Sequence, residues 1–360
     1  MVKIRKAVQK MKPYDPPTES RKGKLRLDFN ENTLGPSPKV MEAVKNASAD
    51  EFSVYPEYKQ ARGKIAESVG LKKENIILTD GADEAIRNLM DCFVEEGREV
   101  IIPVPSFAMF RFYAELRGAK ITKVLYNKDL SFPKKEMLDA IKPETNMVVL
   151  CNPNNPTGTK IERKTIIEII EKAEKNNCLV MVDEAYVEIC RETVIDLVEK
   201  YSNLAVLRSF SKGAGLGGLR IGFVAGCKEI ISVLLKAGSP YSVNSFSIIA
   251  VIAALKDKSY TDNYIQEVLN AREFTLKEFE KLEIKTFPTS ANFFIARFGE
   301  NALLISKKLK EKNILVRDRS KYPLLEGCIR IGIGTQEQMK LFISELKKIL
   351  GEVEYEKSRN

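Results

Sequence analysis

Lys212 is the side chain whose surroundings in the sequence point most directly to chemistry. It follows an apolar run at residues 204–207 and lies in a loop rich in glycine and serine. A lysine amine becomes nucleophilic when burial or a nearby cation lowers its pKa, and it then forms a Schiff base with a carbonyl compound. A loop lysine that points into solvent is the competing interpretation. The loop also carries two cations that could activate the amine and two hydroxyls that could hold an anion: Arg208, Arg220, Ser209 and Ser211.

A second candidate is the turn after the apolar run at residues 75–78. Gly81, Ala82 and Asp83 lead there into an amphipathic helical pattern. The free N–H groups at the start of a helix, together with the helix dipole, can bind an anion. Simple capping by one of the two polar residues before the glycine explains the same pattern equally well.

Amide, carboxylate and phenol side chains follow two further apolar runs. The segment 152–158 contains three asparagines, among them Asn155, which is more than a chain reversal needs. Asp183 and Tyr186 follow the apolar run at residues 179–182. An Asp here would suit the magnesium-binding strand of a P-loop ATPase, but the chain has no G-x-x-x-x-G-K-[ST] motif. Asp183 therefore requires another cationic partner.

The glycines after Lys212 also satisfy a dinucleotide-binding pattern. Gly213, Gly215 and Gly218 match G-x-G-x-x-G, which in a Rossmann fold opens a helix. In this sequence they run into residues 221–225, which are typical of a strand. The pattern therefore disfavours a nicotinamide site.

The elements that must position these residues form an α/β pattern. Between residues 38 and 225, short apolar runs alternate with amphipathic helical segments, which indicates a parallel sheet covered on both faces. Ligands bind outside the carboxyl ends of the strands in such sheets. After a long helical pattern, the C-terminal part predicts strands at 293–298, 314–316 and 328–333, and hence a smaller α+β unit.

Together the polar segments match the requirements of one cofactor, pyridoxal phosphate. It needs a phosphate cradle, a donor to its phenolate oxygen, a carboxylate on its ring nitrogen and an amine on its aldehyde. Phe107, which follows the apolar run at 100–102, could cover the ring.

Composition narrows the class of protein further. The chain has 360 residues, a formal charge of +9 and no histidine, so Ser-His pairs, Cys-His pairs and His-ligated metal sites are excluded. Its six cysteines form no C-x-x-C pair, which favours free thiols in a reducing compartment and predicts a cytoplasmic location. The longest apolar stretch, 246–255, is too short to span a membrane.

Residues 1–24 carry eight basic and two acidic side chains. We expect a solvated arm or one that serves an anionic small molecule, rather than a nucleic-acid module.

The chain resembles the class I and II pyridoxal-phosphate aminotransferases of fold type I, and within them the branch whose substrate is histidinol phosphate. The motifs that carry the resemblance lie at residues 27–32, 55–57, 80–84, 152–158, 182–186, 209–212, 219–222, 316–318 and 330–332. The resemblance implies an N-terminal arm (1–37) that is part of the small domain. It also implies a large cofactor-binding domain (38–257) with a mostly parallel central sheet flanked by helices, and a small α+β domain (258–360).

The resemblance also implies a role for each site residue. Lys212 would hold the cofactor and later move a proton, and Asp183 would keep the ring nitrogen protonated. Tyr186 and Asn155 would bond the phenolate oxygen, and Phe107 would stack on the ring. The remaining cofactor residues would hold the phosphate, Tyr55 doing so from the partner subunit of a homodimer: Gly81, Ala82, Asp83, Ser209, Ser211, Arg220 and Tyr55.

Substrate binding is expected from Tyr14, Asn155, Arg317 and Arg330, where an arginine would accept carboxylate in one half-reaction and phosphate in the other. The implied reaction transfers an amino group between L-glutamate and an imidazole-bearing keto phosphate ester. Phe107 stands where the family commonly has tyrosine, and Thr33-Leu34 stands where it has proline and an aromatic residue. Three alternatives within the same fold stay open: an aminotransferase for aromatic or other amino acids, one for a different amino-alcohol phosphate, and a phospho-amino-acid decarboxylase.

Overall fold

A computed structural model describes residues 2–13 and 20–358 of the chain. Its strands are β1 (Leu25–Arg26), β2 (Ile76–Thr79), β3 (Glu99–Val104), β4 (Lys120–Leu125), β5 (Thr145–Cys151), β6 (Leu179–Asp183), β7 (Leu204–Ser209), β8 (Gly222–Gly226), β9 (Phe293–Arg297), β10 (Ile314–Leu315), β11 (Arg317–Asp318) and β12 (Cys328–Gly332).

The α-helices alternate with the strands in the first two thirds of the chain and become long toward its end. They are α1 (Lys6–Lys10), α2 (Pro38–Lys45), α3 (Asp50–Ser53), α4 (Lys59–Ser68), α5 (Gly81–Phe93), α6 (Ala108–Arg117), α7 (Lys134–Ala140), α8 (Arg163–Glu174), α9 (Val187–Cys190), α10 (Lys228–Ala237), α11 (Ser245–Lys256), α12 (Lys258–Lys281), α13 (Ala302–Glu311) and α14 (Gln336–Ser358). Among the described residues, no helix is both long and apolar enough to cross a membrane.

A seven-stranded sheet with the order β2-β8-β7-β6-β5-β3-β4 forms the centre of the larger part. Every neighbouring pair is parallel except the two that involve β8. The alternating pattern therefore predicted the α/β class and the mostly parallel sheet correctly. Buried aliphatic side chains cover both faces of the sheet, because its central strands have almost no polar residues.

A smaller antiparallel sheet with the order β11-β12-β9 lies in the C-terminal part. Its core includes apolar side chains of α12, α13 and α14. Leu27 from the N-terminal segment is buried in the same core, and β1 pairs in parallel with β10. Residues 25–27 of the arm thus pack with the smaller part, whereas α1 contacts α6 of the larger part. The assignment of the whole arm to the small domain and the boundaries at residues 37/38 and 257/258 stay predictions.

Candidate active site

A cavity of about 370 Å³ opens at the carboxyl ends of β5, β6 and β7. The structure brings most of the predicted site residues to its walls, although they are far apart in the sequence. Those residues are Ala82, Asp83, Phe107, Asn155, Asp183, Tyr186, Ser209, Ser211, Lys212, Arg220, Arg317 and Arg330.

Lys212 lies half-buried in the wall of this cavity, and its amine does not point into solvent. Its Nζ donates a hydrogen bond to the backbone oxygen of Phe29 at 2.9 Å and lies 5.6 Å from the ring centre of Tyr186. Burial, together with the positive charge of Arg330, lowers the pKa of Lys212 to about 8. A substantial fraction of the amine is therefore neutral, and able to attack a carbonyl, near physiological pH.

Asp183 ends β6 and is only 3% exposed. Its Oδ1 accepts a hydrogen bond from the backbone N–H of Ala185 at 2.9 Å. Burial raises the pKa of this carboxyl to about 7, because no cation close by compensates its charge fully. The site is therefore suited to a ligand that brings a positive charge to Asp183.

Tyr186, Asn155 and Arg330 form a continuous hydrogen-bond chain along one wall. Arg330 Nη1 donates to Asn155 Oδ1 at 2.5 Å, and Asn155 Nδ2 donates to the Tyr186 hydroxyl at 3.3 Å. Burial raises the pKa of Tyr186 to about 12, so this phenol stays protonated. These hydrogen bonds join Arg330, which is expected to bind substrate, to Tyr186, which is expected to bind the cofactor.

One end of the cavity is built to receive an anion. Helix α5 begins there, and its N-cap residue Asp80 makes no side-chain cap to the helix N–H groups, which leaves open the anion-binding interpretation. Gly81 has a φ of +71°, and a Cβ at this position would lie 2.6 Å from a guanidinium nitrogen of Arg220. The hydroxyls of Ser209 and Ser211, 2.9 Å apart, complete this end.

The opposite end carries further arginines from the smaller sheet. Arg330 is buried and Arg317 is half-buried, and their guanidinium groups lie over the rings of Phe293 and Phe29 respectively. Burial, with the charge of Arg319 next in importance, lowers the pKa of Arg330 to about 9. The two ends give the cavity two separate places for anionic groups.

Several lining residues have no role in the sequence analysis. Phe29, Asn30 and Glu31 come from the N-terminal arm, while Arg319 and Tyr322 follow β11. The arm residues belong to one of the motifs of the family resemblance, and their concentration of polar side chains was a signal that could have marked them. Arg319 and Tyr322 lie in a loop that carries no comparable pattern.

Among the described residues, two of the predicted ones, Gly81 and Tyr55, do not line the cavity. Gly81 lies next to Arg220, which does line the cavity: a Cβ at position 81 would come within 2.6 Å of its guanidinium group. Tyr55 is 76% exposed and stacks on Tyr241, with ring centres 4.5 Å apart. Tyr14 lies outside the described residues.

Comparison with known proteins decides the family. Residues 22–346 match the family described as aminotransferase class I and II. The chain belongs to this family. It is 34% identical, over 96% of its length and 98% of the other, to histidinol-phosphate aminotransferase of Caldanaerobacter subterraneus. A protein of the same name from Methanocaldococcus jannaschii is 31% identical over 97% and 98% of the two chains.

Solved aminotransferases share the fold. The histidinol-phosphate aminotransferase of Sinorhizobium meliloti, whose structure is in complex with pyridoxal 5′-phosphate, superposes with a TM-score of 0.85. It is 24% identical and covers 91% of each chain. This likeness establishes fold type I for the present chain.

The cavity of this class I and II aminotransferase fits pyridoxal phosphate on its own chemistry. It combines a partly neutral lysine amine, a buried carboxyl short of positive charge and an open helix start beside an arginine. Oδ1 of Asn30 and Nε of Arg330 are buried without a hydrogen-bond partner in the described part of the chain. Buried polar atoms in folded proteins are normally hydrogen-bonded, so these two are available to a bound group.

Proposed function

We propose that this chain is a pyridoxal-phosphate-dependent histidinol-phosphate aminotransferase. It would transfer the amino group of histidinol phosphate to 2-oxoglutarate, giving imidazole acetol phosphate and L-glutamate. The observation that carries the proposal is that Lys212 and Asp183 face one cavity with cationic groups at both ends. When bound, the cofactor supplies an aldehyde that accepts the amino group and a ring that takes up electrons from the substrate.

The residues of the chain would hold the cofactor and orient its reactive groups. Lys212 would carry the cofactor covalently and move a proton at the substrate Cα, a task for which a pKa of about 8 is suitable. Asp183 would hold a proton on the ring nitrogen by its negative charge. Tyr186 and Asn155 would donate hydrogen bonds toward the phenolate oxygen, and Phe107 would cover one face of the ring.

The phosphate of the cofactor would bind where α5 begins. Free N–H groups of Ala82 and Asp83, the hydroxyls of Ser209 and Ser211 and the guanidinium of Arg220 are the available donors. Arg220 lies 3.1 Å from the carboxylate of Asp83, which orients it toward this end.

The substrate anions would bind at the other end, on Arg330 and Arg317. A guanidinium group presents parallel N–H donors that match both carboxylate and phosphate. Arg330 would therefore receive the α-carboxylate of glutamate in one half-reaction and help to hold the phosphate ester in the other. Tyr14 is proposed as a further phosphate ligand.

We also propose a homodimer, in which Tyr55 reaches the cofactor phosphate of the partner subunit. Its exposure on a single protomer and the exposed apolar residues beside it support this arrangement. The six cysteines are free thiols, which supports the proposed cytoplasmic location.

A spectrum and a substrate panel test the proposal. The purified protein should absorb visible light as a lysine-bound cofactor does, and it should convert histidinol phosphate with 2-oxoglutarate faster than phenylalanine. Phosphothreonine should release no carbon dioxide. Absence of the chromophore would refute the cofactor, whereas a chromophore without turnover of histidinol phosphate would refute only the substrate.

The variant Arg330→Lys tests the shared anion site. It keeps the charge but loses the guanidinium fork, so KM should rise at least about tenfold for glutamate and for histidinol phosphate alike. A rise for only one of the two substrates would contradict a shared site.

A further inference from the structure

The arm segment at residues 28–32 threads between the two parts of the site and contacts its reactive groups in turn. The backbone oxygens of Asp28 and Phe29 accept hydrogen bonds from Arg330 and Lys212. The side-chain amides of this segment contact two further groups: Asn30 Nδ2 lies 3.0 Å from the Tyr186 hydroxyl, and Asn32 Nδ2 lies 2.9 Å from the backbone oxygen of Gly213, the residue after Lys212.

Asn30 is firmly held within this segment. It is 2% exposed and adopts a left-handed backbone with a φ of 55°, a conformation that few residues other than glycine, asparagine and aspartate accept easily. Its backbone oxygen accepts a hydrogen bond from Asn292 Nδ2 at 3.1 Å. The fold thus fixes this side chain at the cavity wall from the large and the small parts together.

Two side-chain amides contact the Tyr186 hydroxyl. Because Arg330 donates to Asn155 Oδ1, Asn155 must turn its NH₂ group toward Tyr186. Asn30 presents a second NH₂ group to the same oxygen. Two amide donors occupy the acceptor positions of the phenol oxygen, so its own hydrogen is left to point at a third partner.

We propose that Asn30 is a positioning residue, which acts through Tyr186 by directing the phenol hydrogen toward the phenolate oxygen of the bound cofactor. The inference rests on the proposed function and deepens it. A phenol whose oxygen already accepts hydrogen bonds is also a stronger donor, because hydrogen bonds in a chain polarise one another. Asn30 therefore stabilises the form of the lysine-bound cofactor in which the phenolate carries its negative charge.

The variants Asn30→Gly and Asn30→Asp test this role without straining the backbone, since both residues tolerate a positive φ. We expect the midpoint of the pH titration of the visible chromophore to rise by about half a unit to one unit, the size of one lost hydrogen bond. The matched control is Asn177→Gly, an exposed asparagine with a φ of 52°, whose titration should equal that of the unchanged protein.

A second pair of variants separates positioning from a general structural effect. In a Tyr186→Phe background, Asn30→Gly should add no further shift, because the oxygen through which it acts is gone. Equal shifts in the presence and absence of the Tyr186 hydroxyl would overturn the proposal. So would an unchanged titration in both Asn30 variants. If the unchanged protein shows no chromophore, the proposed function fails, and this inference fails with it.

Discussion

At the scale of single residues, the site holds three ionisable groups whose pKa values burial moves toward neutrality. Lys212 and Arg330 are cations that repel each other inside the site, and Asp183 is a buried carboxyl without a complete counter-charge. Each group would be easier to ionise in water. The site therefore pre-organises charges that a cationic ring nitrogen and anionic substrate groups would complement.

The lowered pKa of Lys212 predicts how cofactor attachment depends on pH. Only the neutral amine attacks an aldehyde, so the attachment rate of the cofactor-free protein should rise about tenfold per pH unit below pH 8 and level off above it. Rapid-mixing absorbance between pH 6 and pH 10 measures this rate.

The ordinary lysine side chain of N-acetyl-lysine, reacted with the same aldehyde, corrects for the titration of pyridoxal phosphate itself. Arg330→Gln removes a nearby positive charge and should move the levelling-off point to higher pH. A rate that rises up to pH 10 in the unchanged protein would show that the amine is not activated.

At the scale of elements, the start of helix α5 predicts a local requirement for glycine. Gly81→Ala places a Cβ 2.6 Å from the Arg220 guanidinium, so Arg220 must move and the affinity for the cofactor phosphate should fall at least about tenfold. Equilibrium binding of pyridoxal phosphate measures the effect.

Gly70→Ala is the matched control for that variant. Gly70 has the same φ of +71°, but no atom lies within 4 Å of an added Cβ. Both variants carry the backbone cost of a left-handed alanine, about 1–2 kcal/mol. Equal cofactor affinity in the two variants would mean that the closeness of Gly81 to Arg220 has no role in binding.

The strands were predicted to different extents from the sequence. The buried strands β6 and β7 were predicted within two residues at each end, because each is a continuous apolar run between helical patterns. Strand β4 was missed, since this edge strand has mostly polar or half-exposed side chains and shows no apolar run. The antiparallel direction of β8 was also not predicted, because strand direction depends on the connection and not on the strand's own residues.

The site was predicted less completely than the fold. Lys212, Asp183 and Asn155 were assigned to it because each follows an apolar strand and lies at the sheet edge where ligands bind. Asn30 and Glu31 were not assigned, since they reach the cavity only when the arm crosses from the small sheet to the large one. No local pattern encodes such a crossing.

At the scale of the whole molecule, the exposed aromatic residues around Tyr55 predict a subunit interface. Phe52 is 76% exposed, and its ring contacts Phe246 edge-on at 4.7 Å. Phe52→Glu should place a charge in this interface and leave a single chain of 40.6 kDa with little activity. Light scattering coupled to size-exclusion chromatography measures the mass.

Leu303→Glu provides the control, because Leu303 is 69% exposed on α13 in the smaller part. This variant should keep the dimer mass and full activity. A monomeric unchanged protein with full activity would contradict both the interface and the proposed contribution of Tyr55 to the partner's site.

The covalent attachment of the cofactor to Lys212 is the central claim, and peptide mapping after borohydride reduction tests it most directly. Reduction fixes a lysine-bound pyridoxal phosphate, and mass spectrometry then locates the modified side chain. We predict one modified lysine per chain, Lys212, and no stable modification in Lys212→Ala. Modification at another lysine, or the same labelling of the Lys212→Ala protein, would contradict this assignment of the site.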